Sequence, residues 1–263
     1  MKRIIVTIVF AFAVNTILAQ TYNMKIKQGT GTTYSVTSTV DEITFLNTTT
    51  TPFVCGDVIL YGGETYPTIL IGSQCWFQKD LNIGTRIDSS LNQTSGNGIE
   101  KYCYRGNDAN CTTYGGLYQW AEAVQYQNGA TNTGLLPSPF TGNVQGICPP
   151  GWHIPTKAEF ETLIATVNND GNALKAAGQG GEDFFLDTDG SGTNTSGFSA
   201  LLAGYRYVSG ILFINLGDYT YFWSSTEYDA TAANNMDLSF GNSSIFLPDY
   251  AKEFGFSVRC LKD

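Results

Sequence analysis

The chain opens on an apolar run, Ile4 to Val14, broken only by Thr7, preceded by Met1-Lys2-Arg3 and ended by Asn15-Thr16. A charged start, a short apolar stretch and Ile17-Leu18-Ala19 ahead of Gln20 form the layout of a Sec-type secretory signal over 1–19. Ala19 suits the cleavage edge, although Ile17 is large for its position three residues before that bond. A transmembrane helix needs about 20 apolar residues, more than this run supplies. The expectation is cleavage and export, giving a secreted or cell-surface product with no membrane span.

Beyond the signal the period changes. Tyr34, Val36, Ser38 and Val40 alternate with Ser35, Thr37 and Thr39, the pattern of a half-buried strand, and Asp41-Glu42-Ile43-Thr44-Phe45 continues it. This makes a small β segment over 20–46, too small to hold a core by itself. Asn47-Thr48-Thr49-Thr50-Thr51-Pro52 reads as a polar linker over 47–53. The main domain then runs over 54–263, long enough for one good-sized core.

Helical periodicity is scarce there. The strongest case starts at Pro155-Thr156, where Thr156 as N-cap and Glu159 three residues on make a capping box. Phe160, Leu163, Ile164 and Val167 then share one face, and Asn168-Asn169-Asp170-Gly171 stops the helix. A shorter helix is expected after Gly115-Gly116, near Trp120, and a further turn over Ala173 to Ala177 with Leu174 and Ala177 buried. Strands are expected at Thr68–Ile71, Val208–Ile214, Tyr221–Ser224, Met236–Phe240 and Phe254–Cys260. The result is an α+β domain with few short helices, small antiparallel sheets and long loops.

Composition narrows the partners. The formal charge is -9, only 14% of residues are charged, and no basic cluster occurs. Nucleic acid and anionic membrane are therefore poor partners. Six cysteines, Cys55, Cys75, Cys103, Cys111, Cys148 and Cys260, none spaced Cys-x-x-Cys, accompany a single histidine, His153. That favours three disulfides over zinc or redox chemistry and leaves the connectivity open. Cys103 with Cys111 would close a small loop, and Cys148 with Cys260 would tie the middle of the domain to its last strand.

Six phrases in order carry more than composition does. They are Tyr66–Trp76 with Asn82, Tyr114–Ala123, Gly146–Thr156, Gly197–Ala200, Phe222–Thr226 and Gly255–Cys260. Together they resemble the Fibrobacter succinogenes major paralogous domain family over nearly all of 54–263. The resemblance implies an exported bacterial protein, often a surface lipoprotein, with a fold near the C-type lectin-like and sulfatase-modifying domains. Trp152 to Thr156 leading into Glu159 and Phe160 resembles the helix entry of the latter. No lipoprotein cysteine follows Ala19, so release or another attachment is expected. The Tyr22 to Phe45 segment resembles a leader of exported proteins in Bacteroidota-like bacteria.

The candidate chemistry is binding. Asp187, Asp189 and Ser191 at alternate positions, with Gly192 in sixth place, match the first half of a calcium loop, with Asn194 as a further ligand. Phe198 stands in twelfth place, where an EF-hand needs Glu, and a solvated turn held by Asx bonds is the alternative. Trp76, Trp120, Trp152 and Trp223 are expected in the core. Tyr102, Tyr104, Tyr126 and Tyr228 are expected to be exposed and to form a sugar-binding face. His153 has no Ser or Cys nucleophile placed with it, so a structural hydrogen bond is expected of it. Glu159 and Glu161 diverge on a helix, and whether Glu122, Glu227 and Asp237 converge is open. No catalysis is expected. The readings are a module for a glycan or other surface ligand, then an adhesive protein that binds proteins, then a glycan-processing or sulfatase-modifying-like enzyme.

Overall fold

The computed structural model describes residues 24–28, 32–36, 52–183, 188–208, 210 and 212–263. The signal over 1–19, the strand continuation at Asp41–Phe45, most of the Thr-rich linker and Asp187 lie outside the described residues. The chain divides into two units, Met1–Pro52 and Phe53–Asp263. In the first, β1 (Met24–Gln28) and β2 (Thr32–Val36) pair antiparallel with Ile26 opposite Tyr34. The alternation that starts at Tyr34 overlaps β2 at Tyr34–Val36, and its continuation lies outside the described residues; no local alternation marks β1.

The second unit is built on two sheets. β3 (Val58–Tyr61), β4 (Glu64–Ile71), β5 (Gln74–Phe77), β17 (Leu261–Lys262) and β8 (Trp152–His153) lie side by side in that order. Leu261 sits between Trp76 and His153, so the last strand is an interior strand of this sheet. The second sheet runs β12 (Phe213–Leu216), β11 (Ala203–Arg206), β13 (Tyr219–Glu227), β14 (Ala232–Ser239), β15 (Ile245–Phe246), with β16 (Asp249–Ala251) also on β14. Short pairs β6 (Thr85–Arg86) with β7 (Glu100–Lys101), and β9 (Glu182–Asp183) with β10 (Thr188–Asp189), complete the described strands.

Two apolar clusters fill the space on either side of the second sheet. Phe222, Met236 and Leu238 join Trp76, Phe160, Leu163 and Phe198 on one side. Tyr221, Trp223 and Ala233 join Phe77, Trp120, Trp152 and Phe256 on the other. Adjacent residues of one strand point to opposite faces, so β13 and β14 are buried on both faces and lose the polar alternation of a half-solvated strand. All four tryptophans are core residues, as their phrases suggested.

Among the described residues four short α-helices occur: α1 (Asp108–Tyr114), α2 (Trp120–Ala123), α3 (Lys157–Thr166) and α4 (Gly171–Leu174). At α3 the Thr156 hydroxyl accepts from Glu159 N, and the Glu159 carboxylate accepts from Thr156 N, which closes the capping box. Asn168 and Asn169 take positive φ directly after the helix, the left-handed conformation that asparagine tolerates. α4 begins at Gly171, with Asp170 as its cap, so Leu174 is buried but Ala177 is exposed, contrary to expectation. α1 was not foreseen; Asn107 caps it by accepting from Ala109 N.

Two strand expectations need correction. Of the strand expected at Val208–Ile214, only Phe213 and Ile214 lie in β12; β11 ends at Arg206, and Tyr207 N donates to Leu212 O between the two strands. Phe254–Cys260 is a connector that bridges in turn to Arg206, Tyr118 and Phe222. The disulfides pair Cys55–Cys75, Cys103–Cys111 and Cys148–Cys260, closing separations of 20, 8 and 112 residues. Gly146 explains part of its phrase: at φ 53° a Cβ there would fall 2.2 Å from Ala123 O.

Candidate functional site

Period 2 places Tyr219 and Tyr221 on one face of β13, and the register sets Asp237 of β14 opposite Tyr221. Phe246 of β15 stands opposite Asp237 on its other side. Tyr250 of β16 meets Tyr221 edge-on at 5.7 Å, and Tyr205 of β11 does so at 5.2 Å. Phe254 bridges Tyr205, Tyr207 and Tyr250 at 5.4, 5.4 and 5.9 Å. Beneath them Tyr221 stacks on Phe256, which belongs to the core. The rings are thus a continuation of the core through the open end of the sheet.

The outer members of this group are accessible: Tyr219 is 39% and Tyr250 37% exposed, and Tyr207 and Phe246 are exposed as well. Asp237 is only 7% exposed, with no hydrogen-bond or ionic partner among the described residues. Its burial pushes its pKa up to about 7, with no opposing interaction. Tyr221 and Tyr250 are raised in turn, first by burial and then by neighbouring charge that includes Asp237; an Asn215 hydrogen bond opposes this at Tyr221. A carboxylate framed by tyrosine rings can accept hydrogen bonds or meet a cation, and the rings can stack on a flat apolar face.

The tyrosines singled out by sequence are dispersed. Tyr102 is 0% exposed: its ring lies 4.2 Å from the Arg206 guanidinium and its hydroxyl donates to Leu91 O at 2.7 Å. Tyr104 is buried against Phe213 and lines a hollow of about 450 Å³ with Arg105, Asn107, Asn110 and Leu216. The hydroxyl of Tyr126 is buried, and its pKa is held well above the ordinary value by burial and then by Glu122 and Glu100. Only Tyr228 of the four is well exposed, at 62%, in the turn between β13 and β14. The expectation of four exposed tyrosines is therefore corrected at Tyr102, Tyr104 and the Tyr126 hydroxyl. What exposes or buries a tyrosine here is its cross-strand company, which one sequence does not display.

The described part of the proposed calcium loop is occupied by its own chain. Asp189 Oδ1 accepts from Ser191 N at 2.7 Å, an Asx turn, and Asn194 exchanges hydrogen bonds with Ser199. Gly190 O accepts from Nζ of the buried Lys175, which also donates to Ser239 O at 2.7 Å and Asn242 O at 2.9 Å. Among the described residues no group of three His, Cys, Asp or Glu side chains is placed to hold a metal ion.

The remaining titratable groups do not share a centre. Glu122 accepts from Glu100 N and from Gln125, while Glu227 pairs with Lys252 at 2.6 Å. Neither has a partner in common with Asp237. His153 is locked between Asp263 (Nδ1, 2.7 Å) and Glu159 (Nε2, 3.0 Å), in line with a structural role. A hollow of about 220 Å³ is lined by Asp80, Arg259, Lys79, Asn82 and Glu64 among others. Its innermost charge is already neutralised, because Arg259 donates to Asp80 through two guanidinium nitrogens. The aromatic face combines accessible rings with a carboxylate that has no partner among the described residues.

Fold and face define a disulfide-tied α+β domain with few helices, several small sheets and one open aromatic end. A family model described as the Fibrobacter succinogenes major domain matches residues 69–262, and the chain belongs to that family. No curated protein and no solved structure matches the chain. Among the described residues, no helix is long and apolar enough to cross a membrane.

Proposed function

We propose that this chain is an exported binding module, secreted or held at the bacterial cell surface, that takes carbohydrate on the aromatic face of its second sheet. The observation that carries the reading is the group of exposed rings, Tyr219, Phe246 and Tyr250, around the carboxylate of Asp237, which has no partner among the described residues, with Tyr207 farther out on Phe254. Ring faces offer an apolar plane to the C–H side of a pyranose, and tyrosine hydroxyls and a carboxylate supply the polar contacts that orient it. A C-type lectin-like scaffold, as the family resemblance implies, would suit this role. The signal-like start and three disulfides support export, since such bonds persist in oxidising compartments. Glu122 and Glu227 have separate partners and Asp237 has none among the described residues, an arrangement that supports binding without catalysis.

The test is a glycan array probed with the mature protein and with a Tyr219→Ala/Tyr250→Ala double variant, with calcium and with chelator. Binding that is lost in the variant at unchanged melting temperature supports the reading. Absence of glycan signal at high protein concentration overturns it. Loss in chelator would restore the loop from Asp187 to Asn194 as a calcium site. A protein partner is the second reading, favoured by β3, an edge strand that exposes Val58 and Leu60. A pull-down that depends on Val58 and Leu60 and not on the tyrosines would select it.

A further inference from the structure

Among the described residues Asp237 has no counter-charge. An aspartate that is more than nine-tenths buried is ordinarily paired, because an unpaired charge in apolar surroundings is strongly disfavoured. The buried cations of this domain are all engaged elsewhere. Lys252 is held by Glu227, Gly134 O and Ala230 O, and Arg206 by the carbonyls of Ser89, Leu91 and Glu253. Lys175 and Arg259 are held by the groups already described.

The side chains that frame the carboxylate are acidic or neutral. β13 contributes Tyr219 and Tyr221, β11 contributes Tyr205, and β16 contributes Tyr250 with Asp249 beside it. No basic group faces it from any of these strands. Electron-rich ring faces attract a cation that comes within about 6 Å of their centres. The overall charge of -9 adds a long-range field of the same sense.

We propose that the aromatic face is selective for a cationic sugar, a hexosamine unit whose amine is free and protonated, with the ammonium seated on Asp237 between the rings of Tyr221 and Tyr250. The inference rests on the carbohydrate reading and specifies its ligand class. A neutral sugar can hydrogen-bond to the carboxylate but leaves the charge unpaired. An N-acetylated amine presents a bulkier, neutral group at the same place. The free amine alone supplies charge, donors and a compact head together.

The experiment is titration calorimetry at pH 7 with two oligosaccharides of equal length, one of free glucosamine units and one of N-acetylglucosamine units. The proteins are the wild type, Asp237→Asn and Tyr250→Ala, each checked for fold by circular dichroism. The free-amine oligomer is expected to bind the wild type at least about tenfold more tightly, and 0.5 M salt is expected to reduce that preference. Asp237→Asn is expected to abolish the preference while keeping the weaker affinity for the acetylated oligomer. Tyr250→Ala is expected to weaken both. Equal wild-type affinity for the two oligomers overturns the proposal and leaves the carbohydrate reading standing. A preference that persists in Asp237→Asn overturns it too, because attraction would then belong to the acidic surface at large. No binding of either oligomer to any of the three removes the ligand class proposed here, and the array then decides the broader reading.

Discussion

Nε2 of His153 lies 3.0 Å from one oxygen of the Glu159 carboxylate, and the other oxygen of that carboxylate caps helix α3 by accepting from Thr156 N at 2.7 Å. One side chain thus joins the first sheet, through β8, to the helix whose Phe160 and Leu163 pack in the cluster with Trp76 and Phe222.

This pair titrates in a predictable way. Burial alone would lower the pKa of His153, but hydrogen bonds and charge from Glu159 and Asp263 outweigh it and hold the imidazole above its ordinary value. Glu159 is lowered although burial opposes this, because His153 and the Thr156 donors favour its charged form. The histidine contribution is fully present below its unfolded pKa and is lost as pH rises through the raised folded value. The glutamate contribution is present above its unfolded pKa and is lost as pH falls through the lowered folded value. Both operate together in the mildly acidic range. As the only histidine, His153 gives one unambiguous imidazole resonance. Glu159→Gln keeps the cap geometry but is expected to lower that pKa; an unchanged NMR titration would exclude the coupling. Glu159→Ala also loses the carboxylate half of the capping box, the bond from Thr156 N, while the Thr156 hydroxyl still accepts from the backbone N at 159, an added cost of up to about 1 kcal/mol.

Local devices were legible in the sequence because their parts lie within eight residues of one another. The Thr156–Glu159 box, the asparagine stop after α3 and the Cys103–Cys111 closure all fall in that class. The aromatic face was not legible. Its residues come from β11, β13, β14 and β16, and they meet only through a register that no local pattern encodes. Burial of β13 and β14 on both faces also erases the alternation that would have marked their solvent side. Tyr219-Thr220-Tyr221 was the one available signal, two rings on one face of a strand. Tyr102 misled because its burial depends on Arg206, which is 104 positions away in sequence (206 minus 102) and lies over its ring.

The buried Lys175 ammonium gathers three carbonyls, Gly190 O from the loop after Asp187 and Ser239 O and Asn242 O from the end of β14 and the turn that follows it. Lys175→Met would leave the carbonyls of Gly190, Ser239 and Asn242 without their shared donor, at a cost of about 1–3 kcal/mol for each that stays unpaired. A fall in urea midpoint of several kcal/mol equivalent is expected, with β9 and β10 exchanging amide hydrogens fastest. Wild-type melting temperature is expected to be unchanged by millimolar calcium, since Asp189 and Asn194 already accept hydrogen bonds from Ser191 N and Ser199 N. A calcium-dependent rise of several degrees would show that Asp187 completes a site after all.

The Asp80–Arg259 pair is buried, and the guanidinium also lies over the rings of Phe198 and Phe222, with its carbon 4.5 and 5.3 Å from their centres. Arg259→Met strands Asp80 and is expected to cost about 3–5 kcal/mol. Asp80→Asn/Arg259→Met is expected to recover part of this, because the stranded charge is gone. Chemical denaturation of the two single variants and the double variant measures the coupling; additive losses would show that the ion pair contributes nothing.

Removal of disulfides should follow loop length. Cys148–Cys260 closes 112 residues and its replacement by alanines is expected to cost about 4–5 kcal/mol, against about 2–3 for Cys103–Cys111, which closes 8. The longer bond also holds β17 between β5 and β8, so its loss is expected to uncouple the first sheet. Differential scanning calorimetry of the two double variants gives the order, and a reversed order would mean that loop-closure entropy does not govern them.

Asp237 provides the last test, one that needs no ligand. Its folded pKa of about 7 lies above the ordinary 3.8, so the folded state holds a proton that the unfolded chain releases. The associated stability is full below the unfolded pKa and is lost progressively as pH rises to about 7. Above that the wild type carries an unpaired buried charge, a penalty of a few kcal/mol, because each tenfold weakening of the acid corresponds to about 1.36 kcal/mol. Asp237→Asn removes the charge and keeps the shape. It is therefore expected to be more stable than wild type at pH 8 and close to it at pH 4. Paired urea denaturation at the two pH values measures the difference. Equal stabilities at pH 8 would mean that the carboxylate already has a counter-charge, which would also undo its availability to a cationic ligand.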